Sequence, residues 1–389
     1  MGVRLSEILE NNIFDGSTIL AGKAGIDRQV RRVSVFDCPC HADILSSGIM
    51  EPGDIFITCL EQFEEGDETL QPFFDCLVQY ESAGLLVVPT GRVNVLNQSV
   101  LDFCEQHNFP VILIKADLPY AKIMGVINKY LTVEMMNTIN RMTLERIRLG
   151  GLTDTQMQDA IHSINPRFQE NIRAIYVSGT FHSNLFTSDM WAHYMDQTHD
   201  TLIMGDPLVI LLSSDDVKGL KQRTNHVASE MNQYFSDFYL GFSRIHPLRE
   251  IRQVLMEGDR ALKIATALNV TQQEYNPLSS LQMLLSIQGS QEERDFYDAY
   301  VKAIAGSVSA DALGDFLQTI EAFVTNAGDY KKTALQIQQH ENTVRYRMNR
   351  IKQVLGMEGD PIRFYETISL AVQLRIILGE KFPGTADQK

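Results

Sequence analysis

The chain has 389 residues, 44% of them hydrophobic and 21% charged, which is enough apolar material for two or three cored domains and too little charge for a disordered chain. Lys and Arg total 34 against 49 Asp and Glu, a net charge of −15 that excludes a uniformly basic nucleic-acid coat and leaves room only for a local basic patch. No apolar run approaches the roughly 18 residues that span a bilayer, and the five cysteines are an odd number in a chain long enough to fold without disulfide staples; both point to a reduced, cytoplasmic protein.

Residues 1–118 alternate short apolar runs with helical patterns. The runs RVSVF (32–36), DIFIT (54–58), GLLVVP (84–89) and PVILI (110–114) are rich in β-branched residues, as buried strands are. Helical patterns fill 68–82 and 97–107, so the order predicts an α/β domain with a largely parallel sheet. Residues 119–150 form a linker element. Within it, 120–149 read as one long helix ended by Gly150 and Gly151, of the kind that joins domains or pairs with a copy of itself. Residues 151–272 form a second mixed unit, with strands at 172–178, 208–212 and 238–242 and helices at 153–164, 217–235 and 248–268. That order suits an α+β sandwich with a mainly antiparallel sheet. Residues 276–380 lose the strand signal and read as an all-helical domain, and the tail PGTADQK reads as frayed.

The densest signal is DYKKTALQIQQHENTVRYRMNRIKQVL at 329–355. It holds six cations and two anions, so it carries +4 while the remainder of the chain carries −19. On a helix over 342–355, Val344, Met348, Ile351 and Leu355 form an apolar stripe. Asn342, Tyr346, Asn349 and Gln353 fall opposite, with Arg345 and Lys352 on one shoulder and Arg350 on the other. Polar base-reading types between cations suit a helix in a major groove. A shorter helix over 331–338, a turn at 339–341 and a cap from Asn342 or the residue before it complete a predicted helix-turn-helix at 330–356. The candidate DNA-binding residues are Lys331, Lys332, Asn342, Thr343, Arg345, Tyr346, Arg347, Asn349, Arg350 and Lys352.

HENTVRYRMNRIKQVLG resembles the H-x-N-T-hydrophobic-R-Y-R-hydrophobic-x-R-I signature of the PucR-type helix-turn-helix, which the sugar-diacid regulators share. The helices on either side, ALQI at 334–337 and FYETISLAVQLRIIL at 364–378, fit it too. Glu341 departs from the pattern, standing where the family usually has Arg. Upstream, ILAG (19–22), GIDR (25–28), RVSV (32–35) and GDIFIT (53–58) resemble the PucR sensor domain. GFS (241–243) and the helix over 251–268 resemble the degenerate nucleotide-cyclase-like domain that often lies between the two. The resemblance implies a DNA-binding transcription regulator, frequently an activator of nitrogen or carbon catabolic genes, with an effector-sensing α/β domain, a GGDEF-like middle domain and an all-α end.

Other chemistries are weighed against this. Cys38, Cys40 and His41, with Asp37 and Asp43 alongside, have metal-ligand types but not zinc-site spacing, and a thiol- or metal-responsive regulator is one alternative reading. An enzyme of residues 1–270 with a partner-docking helical tail is another, but no nucleophile elbow or phosphate loop is present, and LGGLT (149–153) lacks the acidic pair of a cyclase. His182, His193 and His199, around Trp191, read as loop residues rather than ligands. MGVRLS at 1–6 matches the loose myristoylation pattern, with nothing else pointing to a membrane. In open α/β sheets ligands sit beyond the carboxyl ends of the strands, which makes Thr58, Cys59, Pro89, Thr90 and Lys115 the candidate effector residues. The expectation is therefore a non-enzymatic regulator without a cofactor or metal. Its expected partners are double-stranded DNA on paired half-sites, a small-molecule effector, and a second copy of itself in a homodimer or higher oligomer.

Overall fold

The computed structural model describes residues 2–37, 49–64, 66–89, 96–115, 117–181 and 199–378. Cys38, Cys40, His41, Asp43, Thr90, His182, Trp191, His193 and the tail therefore lie outside the described residues. The chain divides into two compact units, residues 1–166 with 181–205, and residues 167–180 with 206–389.

The strands of the first unit are β1 (Val3–Arg4), β2 (Thr18–Ala21), β3 (Gln29–Val30), β4 (Arg32–Val35), β5 (Asp54–Thr58), β6 (Gly84–Val87) and β7 (Val111–Leu113). Its helices are α1 (Leu5–Leu9), α2 (Leu70–Gln79), α3 (Gln98–Gln106), α4 (Tyr120–Leu149) and α5 (Asp154–Ile164). Five strands form one sheet in the order β2-β7-β6-β5-β4; β4 through β7 run parallel and β2 is antiparallel to β7. Every residue of β5 and β6 is buried, because helices cover both faces. The strand period sorts their side chains between two cores. Phe56 packs with Phe73, Phe74, Leu77 and Phe109 on the side of α2 and α3. Ile55 and Ile57 pack with Leu5, Ile8, Ile123 and Ile127 on the side of α1 and the start of α4. Gly22 has φ 72°, and a Cβ there would fall 2.0 Å from the Phe109 carbonyl oxygen, so only glycine allows this approach.

Helix α4 runs for 30 residues and ends at Gly150, φ 80°. Beyond the N-terminal core its buried face is polar in part: Asn137, Asn140, Leu144 and Ile147. The buried Asn137 amide clamps the Met204 backbone, accepting from its N–H at 2.6 Å and donating to its carbonyl at 3.1 Å. Helix α5 opens with a reciprocal Thr153–Gln156 capping box. A short strand, β9 (Thr201–Ile203), also falls in this unit.

The second unit is built on β8 (Asn171–Phe181), β10 (Leu208–Ser214), β11 (Phe235–Phe242), β12 (His246–Pro247) and β13 (Gln272–Glu274). Strands β10 and β12 pair antiparallel with β8, and β13 pairs parallel with β11. Helix α6 (Val217–Glu230) stops earlier than the predicted 217–235. A 3-10 turn at Met231–Gln233 follows, and Phe235 begins β11, where aromatic residues favour a pleated surface over a helix. Helix α7 (Ile251–Leu268) lies directly on β11: a Cβ on Gly241 would sit 2.1 Å from the Leu262 amide nitrogen.

A buried ionic group pins the loop between β11 and α7. Glu257 Oε1 accepts from the Arg244 guanidinium at 2.5 Å, while its Oε2 accepts from the Arg244 amide at 2.9 Å and lies 3.0 Å from His246 Nε2. His246 Nδ1 lies 3.0 Å from Glu250. Burial pushes the Glu257 carboxyl up, but the hydrogen bonds from Arg244 and His246 outweigh it and hold the group below the usual carboxylate range. The chain then continues through α8 (Ser280–Leu284), α9 (Gln291–Ala305), α10 (Ala310–Thr325), α11 (Tyr330–Gln336), α12 (Glu341–Val354) and α13 (Pro361–Leu378), with no strand among them. No helix among the described residues is long and apolar enough to cross a membrane.

Candidate nucleic-acid interface

Two short helices and the turn between them set the geometry. Asp329 caps α11 by accepting from the Lys332 amide at 3.0 Å, while Thr333 and Ala334 turn inward. Helix α11 ends at Gln336, and Gln338 takes φ 54°, the left-handed conformation that reverses the chain. Helix α12 then begins at Glu341. Its cap is His340, whose Nδ1 accepts from the Asn342 amide at 3.2 Å, rather than Asn342 or Glu341 as the sequence predicts. A neutral imidazole can take the place of the usual hydroxyl or carboxylate acceptor.

The apolar stripe of α12 is buried. Val344, Met348 and Ile351 pack with Phe316, Ile320, Phe364 and Ile368 from α10 and α13. The opposite face is open: Asn342, Tyr346, Asn349 and Gln353 are exposed, with Tyr346 at 66%. Lys331 and Lys332 are exposed on α11.

The remaining cations have distinct settings. Arg345 is exposed but ordered. Its guanidinium lies 4.4 Å from the Tyr330 ring centre and donates to Glu341 Oε1 at 2.6 Å and 3.0 Å. Glu341, which stands at a usually basic position, is thus neutralised within its own helix. Arg350 is exposed, with one long contact to the Ser307 carbonyl at 3.4 Å. Lys352 is half-buried with its ammonium over the Phe364 ring, and Thr343 is half-buried. Arg347 is turned into the domain: it bonds Asp315 at 2.5 Å and Thr319 at 3.0 Å and stacks on Phe316. The geometry therefore gathers Asn342, Arg345, Tyr346, Asn349 and Arg350 on one accessible face and commits Arg347 to the packing of α12 on α10.

The candidate effector residues fall less closely together. Thr58 and Cys59, at the carboxyl end of β5, share one acceptor: Asp37 Oδ1 takes the Thr58 hydroxyl and the Cys59 amide, both at 2.9 Å. Gln62 donates to the Phe36 carbonyl at 2.9 Å and to Thr58 Oγ1 at 3.3 Å. Burial, with Cys59 and Asp37 beside it, pushes the Tyr120 phenol well above its ordinary range. Lys115 is exposed and Pro89 half-buried, and among the described residues no side-chain hydrogen bond ties either to this group. Asp37, Gln62 and Tyr120 are the members that sequence reasoning did not place here. The rule that put Thr58 at the sheet edge reaches Asp37 as well, since it follows the neighbouring parallel strand β4. Elsewhere in this unit burial pushes the Cys104 thiol up to about 12 and raises that of Cys76. No metal-binding group of His, Cys, Asp and Glu occurs among the described residues.

Comparison with known proteins matches these two regions separately. Residues 7–131 match the purine catabolism regulatory protein-like family, PucR, and residues 316–376 match the PucR C-terminal helix-turn-helix domain. The chain carries a PucR-family domain and the PucR helix-turn-helix domain. A curated relative, the purine catabolism regulatory protein of Bacillus subtilis (strain 168), is 19% identical over 249 residues. The match covers 62% of this chain and spans 39% of the relative's length. A solved structure, a regulator of polyketide synthase expression from Bifidobacterium adolescentis, is 17% identical, covering 62% of this chain and 96% of that one, with a TM-score of 0.29. The PucR helix-turn-helix match begins within α10 and ends within α13, so it takes in the helices that bury the stripe of α12.

Proposed function

We propose that the protein is a cytoplasmic, sequence-specific DNA-binding transcription regulator, an activator responsive to a small metabolite of purine, nitrogen or related catabolism. The observation that carries this reading is the outward face of α12, with Asn342, Tyr346 and Asn349 exposed above a buried stripe inside the PucR helix-turn-helix domain. Such a face offers base-reading groups to a major groove, while Lys331, Lys332, Arg345 and Arg350 supply phosphate contacts, with Lys352, Thr343 and Arg347 at its margin. One short helix buries little surface, so the operator is read by two copies on paired half-sites.

The domains are assigned as 1–118 sensing, 119–150 linking, 151–272 degenerate cyclase-like and 276–380 DNA-binding. The middle domain has no catalytic role in this reading. In this reading the effector site lies at the carboxyl edge of the β4-β5-β6 strands, around Thr58 and Cys59 with Asp37, Gln62 and Tyr120; Pro89 and Lys115 lie on the loops that follow β6 and β7, and Thr90 joins them on its place in the sequence alone. Effector binding shifts the population between placements of the two helix-turn-helix domains, only one of which matches the half-site spacing.

Fluorescence anisotropy on the protein's own upstream DNA tests the reading. Asn342→Ala and Tyr346→Ala each cost about 1–3 kcal/mol on the cognate site and little on random DNA. Equal losses on both DNAs overturn the assignment of this face to base reading.

A further inference from the structure

Helix α4 has two opposed faces. Asn137, Asn140, Leu144 and Ile147 are buried within the first unit. About 180° round the helix, at 100° per residue, lie Met135, Ile139, Met142, Arg146 and Leu149. Their spacing is four, three, four and three residues, the 3.5-residue period of a coiled-coil seam. All five are exposed, and Met136 widens the strip. The apolar members are 42 to 77% exposed, and they make up five of the seventeen exposed large hydrophobic residues found among the described residues. Such clustering within fifteen residues is not the scatter of an ordinary surface.

We propose that this strip is a homodimer seam, in which α4 packs in parallel and in register against α4 of a second copy. The proposal names the face that the paired-half-site reading leaves open, and rests on that reading only for the need for two copies. Charge complementarity selects the occupant. With Met135, Met142 and Leu149 at d positions and Ile139 and Arg146 at a positions, Glu145 falls at g. In a parallel pair the g residue of one helix flanks the following a residue of the other, so each Glu145 meets the partner copy's Arg146. No ion pair engages Arg146 within its own chain among the described residues, and Glu145 has only a 3.3 Å contact with Arg148. A second copy of this helix thus supplies both the matching apolar period and the counter-charge. An antiparallel pair instead sets Arg146 near Ile139 and Thr138, with no acid opposite.

The seam is about 21 Å long, two heptads. A strip this short falls at the small end of the range for stable interfaces, which bury roughly 800 Å² a side, and a dimer that dissociates in the micromolar range is the expected outcome. Sedimentation of the full chain over a concentration series tests this. Ile139→Glu combined with Met142→Glu, both exposed positions, weakens dimerisation at least 30-fold with an unchanged circular dichroism spectrum. Leu278→Glu, also exposed, leaves it unchanged. Met135→Cys forms a disulfide between the two introduced thiols on mild oxidation, identified by peptide mass spectrometry, because only the parallel register brings two copies of this position together. A dimer that survives the double substitution overturns the seam and leaves DNA binding standing. A dimer lost with the double substitution but without the cross-link overturns the parallel register. A wild-type chain that stays monomeric at 100-fold above the micromolar range, about 100 μM, overturns the proposal together with the two-copy reading.

Discussion

Arg347 and Arg350 stand three residues apart on α12, yet their surroundings assign them different work. Arg347 is bonded to Asp315 and Thr319 and stacked on Phe316, so it holds α12 against α10. Arg347→Ala therefore lowers unfolding stability by about 1.5–3 kcal/mol, the range for hydrogen bonds to charged groups. Arg350→Ala leaves stability within about 0.5 kcal/mol, as exposed positions do. Denaturant unfolding of the two variants checks the contrast, and equal losses would count against it. Glu257 sets a pH dependence. Its folded carboxyl is held below the ordinary range, so its contribution is fully present above the unfolded value of about 4.3 and is lost as pH falls through the lower folded value. Thermal melting of the wild type thus falls on acidification below about pH 4.3. Glu257→Gln is less stable at neutral pH, where Arg244 and His246 lose their carboxylate, and its acid limb is flatter.

At the scale of elements, what could be read from the sequence depended on length and period. The helix over 120–149 is found with those limits, because thirty residues between Pro119 and Gly150 hold no proline and only one glycine, Gly125, which alone does not end a helix. The four apolar runs of the first domain are β4, β5, β6 and β7 within a residue or two; β5 and β6, buried along their whole length, are continuously apolar as covered parallel strands are, whereas the edge strand β4 is partly exposed and shows only as the β-branched alternation RVSV. The strands β1, β2, β3, β9, β12 and β13 are two to four residues long and carry no such period. Their pairing comes from tertiary contacts, as with β2 against β7. In the candidate interface, periodicity set Val344, Met348 and Ile351 apart from the open positions on α12, but Leu355, the fourth member of the predicted stripe, is half-buried just past the helix end, and periodicity could not tell Arg347 from Arg350. That distinction depends on Asp315, thirty-two residues away in sequence. The turn before α12 leads to a further expectation. Gln338 sits at φ 54°, where a Cβ is strained, and Gln338→Gly relieves that at the cost of a floppier unfolded chain. Net stabilisation of up to about 1 kcal/mol, read by thermal melting, is the expected outcome.

On the scale of the whole molecule, the proposed function has a chain of net charge −15 meet DNA through a segment of +4, so the acidic remainder would oppose any other mode of approach. Affinity should accordingly be concentrated in one face and fall off steeply away from the cognate site. The Glu341–Arg345 pair gives this balance a further property. In free protein the Glu341 carboxylate already pairs with Arg345, so docking on DNA as proposed would exchange one anion for another. Counterions freed from the DNA at that contact are offset by a cation that gathers on the released Glu341. The protein should therefore shed fewer ions than its arginine count implies, keeping its grip over a wider range of ionic strength. Glu341→Gln should undo this buffering, steepening log K against log salt by up to about 0.9.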